Sequence, residues 1–96
     1  MTNKQKAYLK SLANELRPVT QVGKEGITYN LIESVDTALE ARELIKLSVL
    51  KTCPSEMNEV AIELASETHS EVVQIIGRVI VLFRQNKKKG KIELPR

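Results

Sequence analysis

Near the C-terminus, VVQIIGRVIVLFR sets two apolar, β-rich runs, Val72 to Ile76 and Val79 to Arg84, on either side of Gly77-Arg78 alone. Two intervening residues leave room for a tight hairpin and little else. Both runs are apolar on both faces. A sheet containing them has to be covered on its two sides, either by helices on each side or by a surface reserved for a partner.

The preceding residues supply the helices. Thr2-Asn3-Lys4-Gln5 fits a capping box. Behind it Tyr8, Leu9, Leu12, Ala13 and Leu16 recur at helical spacing, which predicts an amphipathic helix over residues 3–16. Lys6, Lys10 and Arg17 fall in one narrow arc beside its apolar stripe. Pro18 stops the helix, because a residue before proline is pushed out of the α region. Val19 to Val22 reads as a short strand, and Gly23-Lys24-Glu25-Gly26 follows it.

A second helix then starts with Thr28 as N-cap, with Ile27 and Ile32 placed as a hydrophobic staple. Its buried stripe of Leu31, Ile32, Val35 and Leu39 runs to about Arg42. Leu44 to Lys51 reads as a strand, since Ile45, Leu47 and Val49 alternate with Lys46 and Ser48. Thr52-Cys53-Pro54-Ser55 is a turn. Ser55 is the expected N-cap of a third helix that buries Met57, Val60, Ala61, Leu64 and Ala65. The order is α-β-α-β-α-β-β. Strands joined through helices should run parallel and the last strand should return antiparallel, giving a four-stranded mixed sheet carrying helices.

Ninety-six residues make one domain, 1–96, with 86–96 a basic, loosely held C-terminal tail. Aromatic residues are 3% of the chain, so the core is aliphatic and base stacking on exposed rings is disfavoured as a binding mode. Charge is segregated. Residues 1–24 carry five Lys/Arg against Glu15, and residues 78–96 carry seven against Glu93. The two later helices are acidic, with Glu33, Asp36, Glu40 and Glu43, then Glu56, Glu59, Glu63, Glu67 and Glu71. If the basic ends meet, one face of the molecule suits a polyanion.

Catalysis finds little support. His69 and Cys53 are single, zinc-ligand spacing is absent, and neither a nucleophile elbow nor a phosphate-binding Walker motif occurs. No cofactor, metal or small-molecule substrate is expected. With one cysteine, no signal-like start and no apolar run of membrane length, the chain reads as cytoplasmic.

The glycine loop carries the strongest chemical signal. Glycines let a ligand approach the main chain, the following helix N-terminus favours anions, and Lys24 adds a mobile positive charge. KH domains clamp a nucleic-acid backbone with a loop of this pattern. Glu25 places an opposing charge within it.

KQKAYLKSLANELRPVTQVGKEGIT, ALEARELIKLSVL, VVQIIGRVIVLFR and the terminal IELPR, in that order, resemble a YhbY-type CRM domain (chloroplast RNA splicing and ribosome maturation). The resemblance implies an α/β two-layer sandwich similar to the C-terminal domain of translation initiation factor three. It also implies an RNA-binding protein whose stand-alone bacterial members associate with precursors of the large ribosomal subunit. RNA is then the expected partner, with ribosomal proteins as further partners. The RNA-binding residues it implies are Gly23, Lys24, Glu25 and Gly26 in the loop, with Lys6, Lys10, Arg17, Arg78 and Arg84 on a basic surface. Two departures stand out. Family members often have a neutral polar residue or glycine in place of Glu25, and tyrosine in place of Phe83. An alternative reading makes the chain a protein-interaction module that docks a basic ribosomal protein on the acidic face from Glu56 to Glu67.

Overall fold

The computed structural model describes residues 1–86, 90 and 92–96, so the Lys87–Lys89 run and Lys91 lie outside the described residues. The elements follow in the expected order: α1 (Asn3–Ala13), β1 (Pro18–Val22), α2 (Tyr29–Arg42), β2 (Leu44–Val49), α3 (Met57–Thr68), β3 (Glu71–Ile76) and β4 (Val79–Phe83). The four strands form one mixed sheet in the order β1-β2-β4-β3. β1 and β2 are parallel, and β4 is antiparallel to both β2 and β3.

Local signals account for most boundaries. The capping box at Thr2 is formed in both directions: Thr2 Oγ1 accepts from the Gln5 amide, and Gln5 Oε1 accepts from the Thr2 amide. Thr28 caps α2 by accepting the Leu31 amide at 3.1 Å. Gly77 turns the hairpin with φ +56°, in the left-handed region that glycine enters without strain.

Some boundaries differ from the sequence reading. α1 ends at Ala13 instead of Leu16: the amides of Glu15 and Leu16 bond three residues back and tighten the chain into a turn before Pro18. β2 ends at Val49, because the Cys53 amide bonds Leu50 O and closes a turn over residues that sequence assigned to the strand. The N-cap of α3 is Glu56, not Ser55. Its backbone stays extended and no side chain caps the helix.

The alternation along β4 divides the core. Ile80 and Leu82 face α2 and α3, in a cluster with Val35, Leu39, Leu47 and Leu64. Val81 and Phe83 face the other way, onto Leu9 and Ala13 of α1, with Leu44 and Val73. Residues 80–83 of the hairpin are therefore covered on both sides, while Ile75 and Ile76 at the end of β3 stay exposed. α2 and α3 with the sheet make the two-layer α/β sandwich, and α1 adds cover to the opposite face.

The C-terminal tail is not loosely held where it is described. Ile92 and Leu94 pack on the α1 side of the core, and Gln5 donates its side-chain amide to Pro95 O at 3.0 Å. The chain segment is fastened by Glu43, which is 1% exposed. One carboxylate oxygen accepts the Asn86 amide at 2.6 Å and the other accepts the Ile92 amide at 2.8 Å.

Candidate nucleic-acid interface

β1 ends at Val22, whose carbonyl accepts the Leu50 amide at 2.8 Å and ties this end of the strand to the end of β2. The next four residues form a tight turn in which the Gly26 amide donates to Gly23 O at 3.0 Å. Lys24 and Glu25 occupy its tip and are both exposed. The two glycines are not equivalent. Gly26 has φ +68°, which an L side chain resists, and a Cβ there would meet Pro54 at 3.7 Å. Gly23 has ordinary backbone angles, and its Cβ would meet only Leu50 Cδ1 at 3.9 Å, a normal contact. Folding explains Gly26 and leaves Gly23 unexplained.

The turn delivers the chain into α2. Ile27 and Ile32 both pack on the core, as the staple requires, and fix the direction in which the helix sets out. The amides of the first helical turn have no intrahelical partners, so this end carries partial positive charge beside Lys24. A hollow of about 310 Å³ opens here, lined by Gln21, the four turn residues and Thr28. Tyr29, 73% exposed, stands at the start of the helix and donates its hydroxyl to Glu33 at 2.9 Å. That hydrogen bond, and after it the negative charge of Glu33, raise the Tyr29 pKa above its ordinary 10.0.

The basic residues read from sequence divide into groups. Arg78, in the hairpin turn, lies at the same end of the sheet as the glycine turn. Its guanidinium donates to Val49 O at 2.9 Å and to Leu50 O, which sets a fixed positive charge at the end of β2. Lys6 and Lys10 lie along one flank of α1, away from the flank of Gln5 and Leu12 that meets the C-terminal segment. Arg17 is exposed, next to the start of β1. At ~3.3 Å per residue, β1 carries the chain roughly 16 Å from there to the glycine turn.

Arg84 has a different position from the one expected. Its side chain is 19% exposed and is enclosed by the helices of the other face. It donates to Asp36 Oδ1 at 2.6 Å, Asp36 O at 3.1 Å, Glu40 Oε2 at 3.3 Å and Thr68 O at 2.8 Å. Arg84 is a brace between the end of β4 and the two acidic helices. Phe83, where the family resemblance pointed to a missing hydroxyl, is 4% exposed and belongs to the α1-side core.

Sequence reasoning passed over Lys46. The alternation in LIKLSV marks it as the polar side of a strand with one buried face. That strand, β2, is interior, between β1 and β4.

The acidic side of α2 suits a polyanion poorly. A larger groove of about 860 Å³ lies along α2, with Glu33, Asp36 and Glu67 in its walls. Among the described residues no group of three or more His, Cys, Asp or Glu side chains could hold a metal ion, and no helix is long and apolar enough to cross a membrane.

Comparison with known proteins agrees with this picture. The family model for the CRS1 / YhbY (CRM) domain matches residues 1–84. The chain is 48% identical over 95 residues to the "Probable RNA-binding protein YqeI" of Bacillus subtilis, covering 99% of each. It is 35% identical over 96 residues to an "RNA-binding protein" of Haemophilus influenzae, covering 100% of this chain and 96% of that one. The solution structure of the hypothetical protein SAV1595 from Staphylococcus aureus superposes with a TM-score of 0.83 at 47% identity, with 99% of each chain covered.

Proposed function

The chain belongs to the CRS1/YhbY (CRM) domain family, and on that footing we propose that it is a non-enzymatic RNA-binding protein acting in the cytoplasm on structured ribosomal RNA during large-subunit assembly. The observation that carries the reading is the Gly23–Gly26 turn: an exposed lysine and a capped helix N-terminus converge on a small hollow, beside a glycine that folding does not require. The turn amides and Lys24 hold a backbone phosphate, while Arg78, Lys6, Lys10 and Arg17 supply salt-dependent attraction. Recognition is then by shape and backbone more than by base identity. The naming of the relatives as RNA-binding proteins supports the same reading.

The experiment is an affinity series against bacterial large-subunit ribosomal RNA at increasing salt, comparing the natural chain with Gly23→Asp and Lys24→Asp. Gly23 is chosen because its position accepts a Cβ without strain. The expected result is weaker binding and a shallower slope of log affinity against log salt, by about 0.7–0.9 for each phosphate that the variant leaves unneutralised. Equal affinities and slopes would remove the turn from the interface.

A second reading rests on Ile62, which is 66% exposed on α3 between Glu59 and Glu63. An apolar centre with an acidic rim fits a basic protein. Charge reversal at Glu59 and Glu63 would abolish ribosome association under that reading and leave RNA affinity intact under the first.

A further inference from the structure

The α1 face of the sheet is only half covered. Strand register places side chains on it in rows. One row is Gln21, Ser48, Val79 and Ile76, and the next is Pro18, Lys46, Val81 and Gln74. These rows share a face with Val81 and Phe83, the residues packed beneath α1. The C-terminal segment and α1 lie over the end of this face that holds Leu44 and Phe83. The outer row stays open: Gln21 is exposed, Ser48 and Val79 are half-buried, and Ile76 is 59% exposed.

Lys46 stands at the centre of this face. Across the four strands only Lys46 and Glu71 are charged, and Glu71 is the exposed first residue of an edge strand. Lys46 is half-buried in an interior strand. Among the described residues the ion pairs are those of Arg84 with Asp36 and Glu40, so Lys46 has no carboxylate partner there. A lysine with no carboxylate partner on a face free of acidic neighbours leaves its positive charge to an anionic ligand.

The surroundings identify the ligand. The two rows contain no acidic residue, and the lysine flank of α1 is the one turned away from the C-terminal segment, towards the open half. Gln21 belongs both to the outer row and to the hollow of the glycine turn, so the surface is continuous from Lys24 to Lys46. We propose that the RNA backbone continues from the glycine turn along the open outer row of the sheet, at whose inner edge Lys46 receives a phosphate beside the amide side chain of Gln21. This rests on the RNA-binding reading and extends its footprint from a loop to a face.

The test uses the full chain with Lys46→Gln and Lys46→Arg, measured against bacterial large-subunit ribosomal RNA in a salt series beside Lys24→Asp. Lys46→Gln is expected to bind several-fold more weakly, with the salt slope reduced by about 0.7–0.9, and Lys46→Arg to restore most of both. Thermal melting of each variant reports folding, and Lys46→Arg keeps the comparison valid if glutamine disturbs the strand. Natural affinity and slope in Lys46→Gln, with Lys24→Asp impaired, would overturn the sheet proposal and leave the loop in place. The reverse pattern supports the sheet and removes the loop. A natural chain with no affinity for this RNA overturns both.

Discussion

Glu43 Oε1 accepts the backbone amide of Ile92 at 2.8 Å, while the other oxygen of the same carboxylate accepts the amide of Asn86. A side chain that is 1% exposed thus fastens the far end of the chain to the junction of α2 and β2. Hydrogen bonds to a charged acceptor contribute about 1.5–3 kcal/mol each. Glu43→Gln turns one acceptor into a donor that faces an amide. We expect it to cost about 2–3 kcal/mol, with faster hydrogen exchange at the Ile92 amide. An unchanged melting temperature with Ile92 still protected would remove the carboxylate from this role.

Arg84 separates structure from binding. Its four hydrogen bonds go to Asp36, Glu40 and Thr68 on the acidic face, away from the surface proposed for RNA. Arg84→Ala should destabilise the fold by about 1–2 kcal/mol, since it leaves Thr68 O without this donor and removes bonds to Asp36 and Glu40, whose carboxylates are exposed. The salt slope of RNA binding should stay that of the natural chain under conditions where the variant is folded. A shallower slope with normal melting would return Arg84 to the interface.

The two glycines of the turn should respond in opposite ways. Gly23→Ala meets a normal contact at 3.9 Å and no unusual backbone angle, so stability should change by less than about 0.5 kcal/mol. Gly26→Ala forces a Cβ into φ +68° and should cost about 1–2 kcal/mol. Paired denaturant titrations of the two variants decide the matter, and equal destabilisation would contradict the turn geometry.

Tyr29 supplies a pH signature next to the proposed phosphate site. Its phenol is held protonated by Glu33, so it should ionise above 10.0 in an ultraviolet titration and move back towards that value in Glu33→Gln. Because the folded pKa is raised, whatever this hydrogen bond contributes is present at neutral pH and is lost as pH rises through the folded pKa. A Tyr29 transition unmoved by Glu33→Gln would exclude the bond.

Much of the architecture was legible because its signals are local. The capping box at Thr2, the staple around Thr28 and the two-residue hairpin at Gly77 each depend on residues a few positions apart. What escaped depends on distant neighbours. Arg84 looks like any strand-end arginine until α2 and α3 close around it, and Ile92 looks like tail until Glu43 reaches it. Lys46 escaped for the same reason. A period-two pattern gives the side of a strand but not whether the strand is interior, and the unusual feature of this lysine is its interior position.

The position of β4 has a consequence for the order in which this protein is made. The last strand lies between β2 and β3, so the sheet has no middle until residues 79–83 are available. A growing chain can carry the glycine turn and Lys24 long before it has a rigid platform for either. Binding competence should therefore appear late and all at once, with the hairpin at Gly77 as the closing step, and a chain cut short before Val79 should have the motif without the grip.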